Sequence, residues 1–367
     1  MNSIETDSWL DLFGPADRAG SRLLSFHTVQ RGGIPLLFLP PGKREALSGL
    51  TLYPAQSTRA RLAKKLLEIA LRVGLRPGLE RVQFEVAVED TFAAFLRQSA
   101  RTAAPPTFAV LAGNPRARGR RFVFLLLDAA GLPAAVVKAG ASEAAQSLIE
   151  HEENFLRANA GMPGLPALRG GFESSRARAF ALDFAAGNSP RGSNLEAPGN
   201  LLTSWLARDR EMRMRDLESW RLLMASEAFP MGTAMSALAE TKFHPTLMHG
   251  DFAPWNVKVC AGHWTVLDWE RGQLEGVPGW DWFHFELQPA LLVRHETAAQ
   301  LFTRCERILA SSDFLAYAAA AGIGPHARAL LLAYLANCLC VTKQTEGREP
   351  LLELEQRVAN TRFARPA

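Results

Sequence analysis

Short runs of apolar residues bounded by turn residues predict strands in the first half of the chain. The earliest run ends at Pro40-Pro41-Gly42, and the last ends just before Gly187. Most of them follow one another at the close spacing of a β-rich segment. The predicted strands are 34–39, 107–111, 121–127, 134–138 and 179–184.

A helical period of apolar residues appears between these strands and dominates the second half of the chain. The first helix stops at Gly74, and its apolar stripe consists of Leu62, Leu66, Leu67 and Ile69. The predicted helices are 58–73, 143–159, 200–227, 296–310 and 326–342.

This order of elements predicts an α+β fold in three segments. Residues 1–102 form an N-terminal α/β extension of unknown role, residues 103–187 a β-rich small lobe, and residues 188–367 a mainly helical large lobe. One β-like passage at 246–268 interrupts the helices. Within it, apolar residues alternate on both sides of Ala261-Gly262, which predicts a hairpin that returns Asp268 towards Asn256.

Composition favours a globular intracellular protein, with 48% apolar and 21% charged residues. The acidic start lacks the layout of a secretion signal, and the longest apolar run, 329–341, is shorter than the roughly 20 residues that cross a bilayer. The four cysteines show no zinc-site spacing. We therefore expect a cytoplasmic location and no membrane partner.

The net charge of +4 arises mainly from basic residues in the first half. Clusters at 59–81 and 116–121 are candidate contacts for phosphates or nucleic acid, but a solvated basic face is the preferred explanation of both. We expect no nucleic-acid partner. A protein partner that binds through residues 1–102 remains open.

The passage His249-Gly250-Asp251 to Asn256 carries the clearest chemical pattern. An Asp is followed five residues later by an Asn, and the predicted hairpin then delivers Asp268. Phosphoryl transfer requires a residue that orients the attacking hydroxyl and oxygen ligands for Mg²⁺, which asparagine and aspartate supply. The spacing therefore indicates phosphoryl transfer.

This loop resembles that of the aminoglycoside phosphotransferase and choline kinase group of small-molecule kinases, which have a protein-kinase-like two-lobed fold. The resemblance implies that Asp251 is catalytic and that Asn256 and Asp268 bind the metal, with Glu270 as a further metal-side carboxylate. It also implies that Asp281, in Gly279-Trp280-Asp281, braces the catalytic loop together with His249.

The small lobe contributes the nucleotide contacts that the resemblance implies. Lys138 ends an apolar strand, as does the lysine that contacts nucleotide phosphates in kinases. Its ion-pair partner would be Glu152, although Glu150 and Glu153 compete for that role. The turn from Gly113 to Gly119 would cover the nucleotide. A hinge at 182–187, which includes Asp183, would read the adenine through its backbone.

The sequence therefore predicts that the γ-phosphate of ATP is transferred, with Mg²⁺, to a hydroxyl of a sugar, amino sugar or amino alcohol. Gly250 stands where protein kinases usually carry Arg, so protein substrates are less expected. The nearly neutral large lobe does not favour a polycationic aminoglycoside. Three alternatives remain. They are a pseudokinase without turnover, a metal-dependent hydrolase with ligands His249, Asp251, His263 and Asp268, and an aromatic cage formed by the tryptophans of 255–282.

Overall fold

The computed structural model describes residues 8–14, 21–54, 58–87, 90–113, 119–190, 198–226 and 233–361. The chain divides into two compact units. The first comprises Met1–Ala160 and Pro166–Ala185, and the second comprises Gly161–Leu165 and Ala186–Ala367. The first unit is rich in strands and the second is mainly helical, which confirms the predicted α+β class.

The first unit is built on one eight-stranded antiparallel sheet. Its strands are β1 Ser21–Arg31, β2 Ile34–Leu39, β3 Glu80–Ala87, β4 Thr107–Leu111, β5 Phe122–Leu127, β6 Pro133–Gly140, β7 Leu168–Glu173 and β8 Arg178–Asp183. Their spatial order is β3-β1-β2-β4-β5-β6-β8-β7. All five predicted strands are present, with ends that shift by one or two residues.

In the described part of the first unit, four α-helices accompany this sheet, and apolar packing holds them to it. They are α1 Lys43–Gly49, α2 Thr58–Arg72, α3 Thr91–Ala100 and α4 Glu143–Ala158. One core cluster centres on Trp9, whose ring makes edge contacts with Phe26, Phe38 and Phe124. A second cluster includes Leu71 of α2 together with residues of β2 and α1.

The sheet runs without interruption across the predicted boundary at residue 102. Leu37 and Phe38 of β2 pair with Leu111 and Val110 of β4, so the strands of the N-terminal extension and of the small lobe share one sheet. A strand edge presents unpaired backbone groups, and β2 satisfies those of β4 in this way. The extension is thus structurally continuous with the strands that follow it.

Among its described residues, the second unit contains helices and three short two-stranded sheets. The helices are α5 Pro198–Ser204, α6 Glu218–Met224, α7 Thr233–Ala239, α8 Trp280–Leu292, α9 Ala298–Ala310, α10 Ser312–Ala321, α11 Ala327–Ala336 and α12 Arg348–Asn360. The strands are β9 Met212–Arg213, β10 Lys242–Phe243, β11 Thr246–Met248, β12 Val257–Cys260, β13 His263–Val266 and β14 Gln273–Gly276. No described helix is both long and apolar enough to span a bilayer.

The prediction of one continuous helix at 200–227 is wrong. The chain leaves the helical conformation after α5, forms a bridge between Leu206 and Thr246, and pairs β9 with β10 before α6 begins. Backbone pairing with the segment at 242–246 therefore overrides the apolar period that suggested one helix. The predicted hairpin at 257–267 is confirmed, since β12 and β13 pair around Ala261 and Gly262, both at positive φ.

Candidate active site

In the first unit, Lys138 projects from β6 and forms a buried ion pair with Glu152 of α4. Its Nζ donates a hydrogen bond to Glu152 Oε1 at 2.6 Å, and only 12% of the lysine side chain and 1% of the glutamate side chain are exposed. Two charges removed from water in this way depend on each other, because loss of either partner leaves a buried charge uncompensated.

The structure also separates Glu152 from its two neighbours in sequence. Glu150 forms an ion pair with Arg178 at 3.1 Å, and Glu153 contacts Arg157 and Arg178. Within about one turn of α4, Glu152 thus faces Lys138, whereas Glu150 and Glu153 face arginines.

The predicted nucleotide-covering turn lies mostly outside the described residues, which leave out 114–118. Its two ends are described. Gly113 has a φ of 22°, and a Cβ there would lie 2.4 Å from the carbonyl oxygen of Arg121, so only glycine fits. Gly119 is buried against Ala144 in the first turn of α4.

Asp183, at the end of β8, is engaged through its side chain within the first unit. Its Oδ1 accepts a hydrogen bond from Arg169 Nε at 2.6 Å, and the same guanidinium donates to the carbonyl groups of Ser99 and Ala134. The carboxylate therefore holds the end of β8 in place, and a nucleotide contact at Asp183 would be made by its backbone.

In the second unit, Asp281 of α8 holds the loop between β11 and β12 in place. Asp281 is 4% exposed, and its carboxylate accepts hydrogen bonds from the backbone N–H groups of His249 at 2.6 Å and Gly250 at 3.0 Å. Burial raises the pKa of Asp281 above its ordinary value, although these donors and the nearby histidines act in the opposite direction.

His249 is fully buried and uses both ring nitrogens within the loop. Its Nε2 lies 2.8 Å from the carbonyl oxygen of Leu267, and its Nδ1 accepts a hydrogen bond from the backbone N–H of Asp251 at 3.1 Å. Nε2 therefore carries the proton, because a carbonyl group can only accept. The ring ties the catalytic loop to the strand that leads to Asp268.

Gly250 adopts a φ of 78°, a conformation that disfavours residues with a side chain. A Cβ at this position would also lie 3.0 Å from Cβ and the carbonyl oxygen of Arg271. The absence of arginine at this position, noted in the sequence, thus has a local steric cause.

The carboxylate of Asp251 is held from both sides. His284 Nε2 lies 3.0 Å from Oδ1, while Asn256 Nδ2 donates to Oδ2 at 3.0 Å and to the Asp251 carbonyl oxygen at 2.9 Å. Burial would raise the pKa of Asp251, but the hydrogen bond from His284 and the basic groups of His284, His249 and Arg271 outweigh burial and lower it. Asp251 is therefore kept ionised.

Asn256 and Asp268 are linked through the backbone. The N–H of Leu267 donates to the carbonyl oxygen of Asn256 at 2.7 Å, which brings the residue before Asp268 alongside Asn256. Asp268 itself has a φ of 72°, a conformation that is uncommon for a residue with a side chain. Such strain is frequent at functional sites, where the surrounding structure holds it in place.

These residues fit a magnesium ion by their donor atoms. Because the Asn256 amide nitrogen is committed to Asp251, its Oδ1 is the atom left for a metal, and Asp268 adds carboxylate oxygens. Glu270 lies two residues further along, with 19% of its side chain exposed. Among the described residues, no three His, Cys, Asp or Glu side chains form a metal site by themselves. Mg²⁺ in nucleotide sites commonly uses one or two carboxylates together with phosphate oxygens.

A relay of side chains that was not predicted from the sequence lies behind Asp251. The hydroxyl of Tyr334 lies 3.1 Å from His284 Nδ1, and Gln288 Nε2 donates to that hydroxyl at 3.4 Å. Burial raises the pKa of Tyr334 well above its ordinary value, so the hydroxyl stays a donor. His284 donates through Nε2 to Asp251, because a carboxylate can only accept, and its Nδ1 shares a hydrogen bond with the Tyr334 hydroxyl. The signal was present, because His284 follows Asp281 by three residues on one helix face.

A cavity of about 350 Å³ opens beside Asp251 within the second unit. Its size falls within the range of small-molecule sites. The lining combines Asp251 and His284 with two aromatic rings, Trp255 and Trp280, and with amide, hydroxyl and charged groups of 337–346. The cavity therefore offers room for a small polar molecule next to the carboxylate.

Most tryptophans of 255–282 pack the interior rather than form a cage. Trp269 is fully buried against Trp205 and His249, and Trp282 packs on Phe314. The metal-hydrolase alternative is contradicted, since both ring nitrogens of His249 are already hydrogen-bonded.

No family model matches the sequence, and no curated protein matches it. Among solved structures, it is similar to an aminoglycoside phosphotransferase in complex with ADP and hygromycin B, with 12% identity, a TM-score of 0.44, and coverage of 75% of this chain and 99% of that one. It is also similar to a putative fructosamine-3-kinase from Haemophilus somnus, with 11% identity, a TM-score of 0.43 and coverage of 73% and 96%.

A third similar structure is a macrolide 2'-phosphotransferase from Brachybacterium faecium, with 16% identity, a TM-score of 0.41 and coverage of 74% and 99%. These proteins are small-molecule kinases, the group that the loop at 249–256 resembles. All three TM-scores lie below 0.5, and these similarities therefore assign no function to this chain.

Proposed function

We propose that this chain is a phosphotransferase that moves the γ-phosphate of ATP, with Mg²⁺, to a hydroxyl group of a small polar metabolite such as a sugar, amino sugar or amino alcohol. The carrying observation is the environment of Asp251. One ionised carboxylate is oriented by His284 and Asn256, on a loop anchored by Asp281, and it lines a cavity of small-molecule size.

Asp251 acts on the acceptor. With Oδ1 and Oδ2 each receiving one hydrogen bond from the protein, the carboxylate has remaining lone pairs with which to accept a third from the acceptor hydroxyl. As the hydroxyl oxygen forms its bond to the γ-phosphorus, the bond from that phosphorus to the bridging oxygen of ADP breaks. The hydroxyl proton passes to Asp251. The lowered pKa of Asp251 makes it an orienting group first and a proton acceptor late in the step.

Asn256 and Asp268 would hold Mg²⁺, with Glu270 as an additional carboxylate close by in sequence. When bound, the ion neutralises charge on the nucleotide phosphates. In the first unit, Lys138 would contact those phosphates while Glu152 keeps its ammonium group in place. The backbone near Gly113, Gly119 and Asp183 would complete nucleotide binding.

The charges that line the cavity indicate which class of acceptor it would bind. Its charged groups besides Asp251 and the loop-bound Asp281 are Arg271, Lys343 and Glu346, which do not sum to the acidic surface that a polycation needs. A neutral or zwitterionic polyhydroxy compound suits it better than a polycationic aminoglycoside.

The test is MgATP consumption by the purified chain against a panel of sugars, amino sugars and amino alcohols. We expect turnover with at least one acceptor, reduced at least about a hundredfold in Asp251→Asn. The matched control is Asp209→Asn, an exposed residue of the same unit, which should retain full activity. Nucleotide binding without turnover on any acceptor would instead support a pseudokinase that serves as a binding module.

A further inference from the structure

Helix α2 exposes most of the apolar stripe that the sequence pattern assigned to it. Leu62 and Leu66 are each 59% exposed, Ile69 51% and Val73, just after the helix, 67%. Leu67 and Leu71 face the other way and pack on the core of the first unit. The helix therefore has two apolar faces, one covered by the protein and one open to solvent.

The open stripe is unusual for this molecule. Of the twelve large apolar side chains that are highly exposed in the described part of the chain, four lie in this stripe and a fifth, Leu75, follows it. Exposed apolar residues scattered singly are ordinary, whereas a contiguous exposed row marks an interaction surface. Spacings of three and four residues place Leu62, Leu66, Ile69 and Val73 in one row.

Cations flank this row along the helix. Arg61, Lys65 and Arg72 are exposed and follow one another at spacings of four and seven residues, which places them along one edge. Arg59 is exposed near the start of the helix. The one acidic residue of α2, Glu68, is paired with Arg72 one turn away. The surface thus combines an apolar ridge with a positive border.

This combination narrows the choice of occupant. A second copy of the chain would bring the same cations face to face with too few carboxylates to balance them. Single-stranded nucleic acid would require aromatic stacking platforms, and the ridge is aliphatic. A protein partner would need a complementary groove, whereas a planar lipid interface accepts a convex basic amphipathic helix directly.

We propose that α2 binds an anionic lipid surface, with Leu62, Leu66, Ile69 and Val73 inserted at the level of the acyl chains and the flanking arginines and lysine against the lipid phosphates. This departs from the expectation, drawn from the sequence, that the protein has no membrane partner. It is independent of the proposed transfer reaction, because none of these residues belongs to the candidate active site.

The test is cosedimentation of the full-length chain with vesicles of phosphatidylcholine alone and of phosphatidylcholine with phosphatidylglycerol. We expect binding to the anionic vesicles that weakens as salt rises, and little binding to the neutral ones. Arg61→Gln combined with Lys65→Gln should lower the partition coefficient about 25-fold. Leu66→Ser combined with Ile69→Ser should lower it at least about tenfold.

Leu315→Ser, which changes an equally exposed leucine on α10, is the matched control and should bind like the unaltered chain. Failure of the unaltered chain to bind anionic vesicles, or equal loss in the control, would overturn the proposal. Concentration-dependent dimers that the Leu66→Ser and Ile69→Ser changes abolish, without vesicle binding, would assign the ridge to a second copy instead. MgATP turnover in the α2 variants reports on the transfer reaction separately.

Discussion

Replacement of His284 by alanine tests the arrangement around Asp251 most directly. The substitution removes the donor at 3.0 Å from Oδ1 and leaves the contact with Asn256 in place. A hydrogen bond to a charged group contributes roughly 1.5–3 kcal/mol. Because the Asp251 side chain is 34% exposed, water replaces part of that contribution, and we expect about 1–2 kcal/mol. This corresponds to a loss of about five- to thirtyfold in kcat.

The pH dependence gives a second readout with a defined sign. His284 is the largest influence that lowers the pKa of Asp251, and burial opposes it. A carboxylate with a lowered pKa is active above that pKa and loses activity as pH falls through it. In His284→Ala the pKa of Asp251 rises, so the acidic limb of the kcat profile should move to higher pH.

The assay is MgATP consumption from about pH 4 to 9 with the acceptor that the panel identifies. His263→Ala, which removes an exposed histidine on β13, is the control and should leave kcat and its profile unchanged. His284→Gln, which keeps a side-chain donor, should recover part of the loss. If His284→Ala retains full kcat and the same acidic limb, the orienting role assigned to His284 is wrong.

Three further substitutions follow from the same geometry. Lys138→Met leaves Glu152 buried without its lysine, so it should lower the free energy of unfolding in urea by roughly 3–5 kcal/mol and weaken nucleotide binding. The double variant Lys138→Met with Glu152→Leu should recover stability but not nucleotide binding. Asp281→Ala strips two backbone N–H groups of their acceptor and should cost about 2–4 kcal/mol in thermal unfolding, more than Asp281→Asn. Gly250→Ala places a side chain at a φ of 78° against Arg271, so it should reduce kcat and lower stability by about 1–2 kcal/mol. Unchanged kinetics would contradict the need for glycine in this loop.

The arrangement of the loop at 249–256 and of the hairpin after it could be predicted because both depend on local spacing. Five residues separate Asp251 from Asn256, and the alternation in 257–267 indicates the hairpin that leads to Asp268. The contact from His284 depends instead on how α8 packs, although Asp281 and His284 are the two polar residues between Trp280 and Phe285. Their spacing of three residues places them on one helix face, so the assignment of Asp281 to the loop also indicated His284.

Two strands in the first part of the sheet, β1 and β3, were not predicted from the sequence. Strand β1 contains Arg22, His27 and Gln30 among its apolar residues, and β3 begins with Glu80 and Arg81. Strand β3 nevertheless alternates Val82, Phe84 and Val86 with Gln83 and Glu85, which is the pattern of an antiparallel strand with one solvated face and could have been predicted. The place of both strands in the sheet follows from the pairing of β1 with both β2 and β3, which sequence spacing alone does not report.

The continuity of the eight-stranded sheet bears on how this protein could be divided. A fragment that begins at residue 103 would lack β2, and the edge of β4 that lies beside it at Val110 and Leu111 would face water. The aromatic cluster around Trp9 would be opened at the same time. Such a fragment would present a bare, apolar strand edge, the usual starting point for aggregation. Segments far apart in the chain must therefore pair before the strands around β6, which carries Lys138, are stable. Folding of this unit is expected to be slow and sensitive to N-terminal truncation.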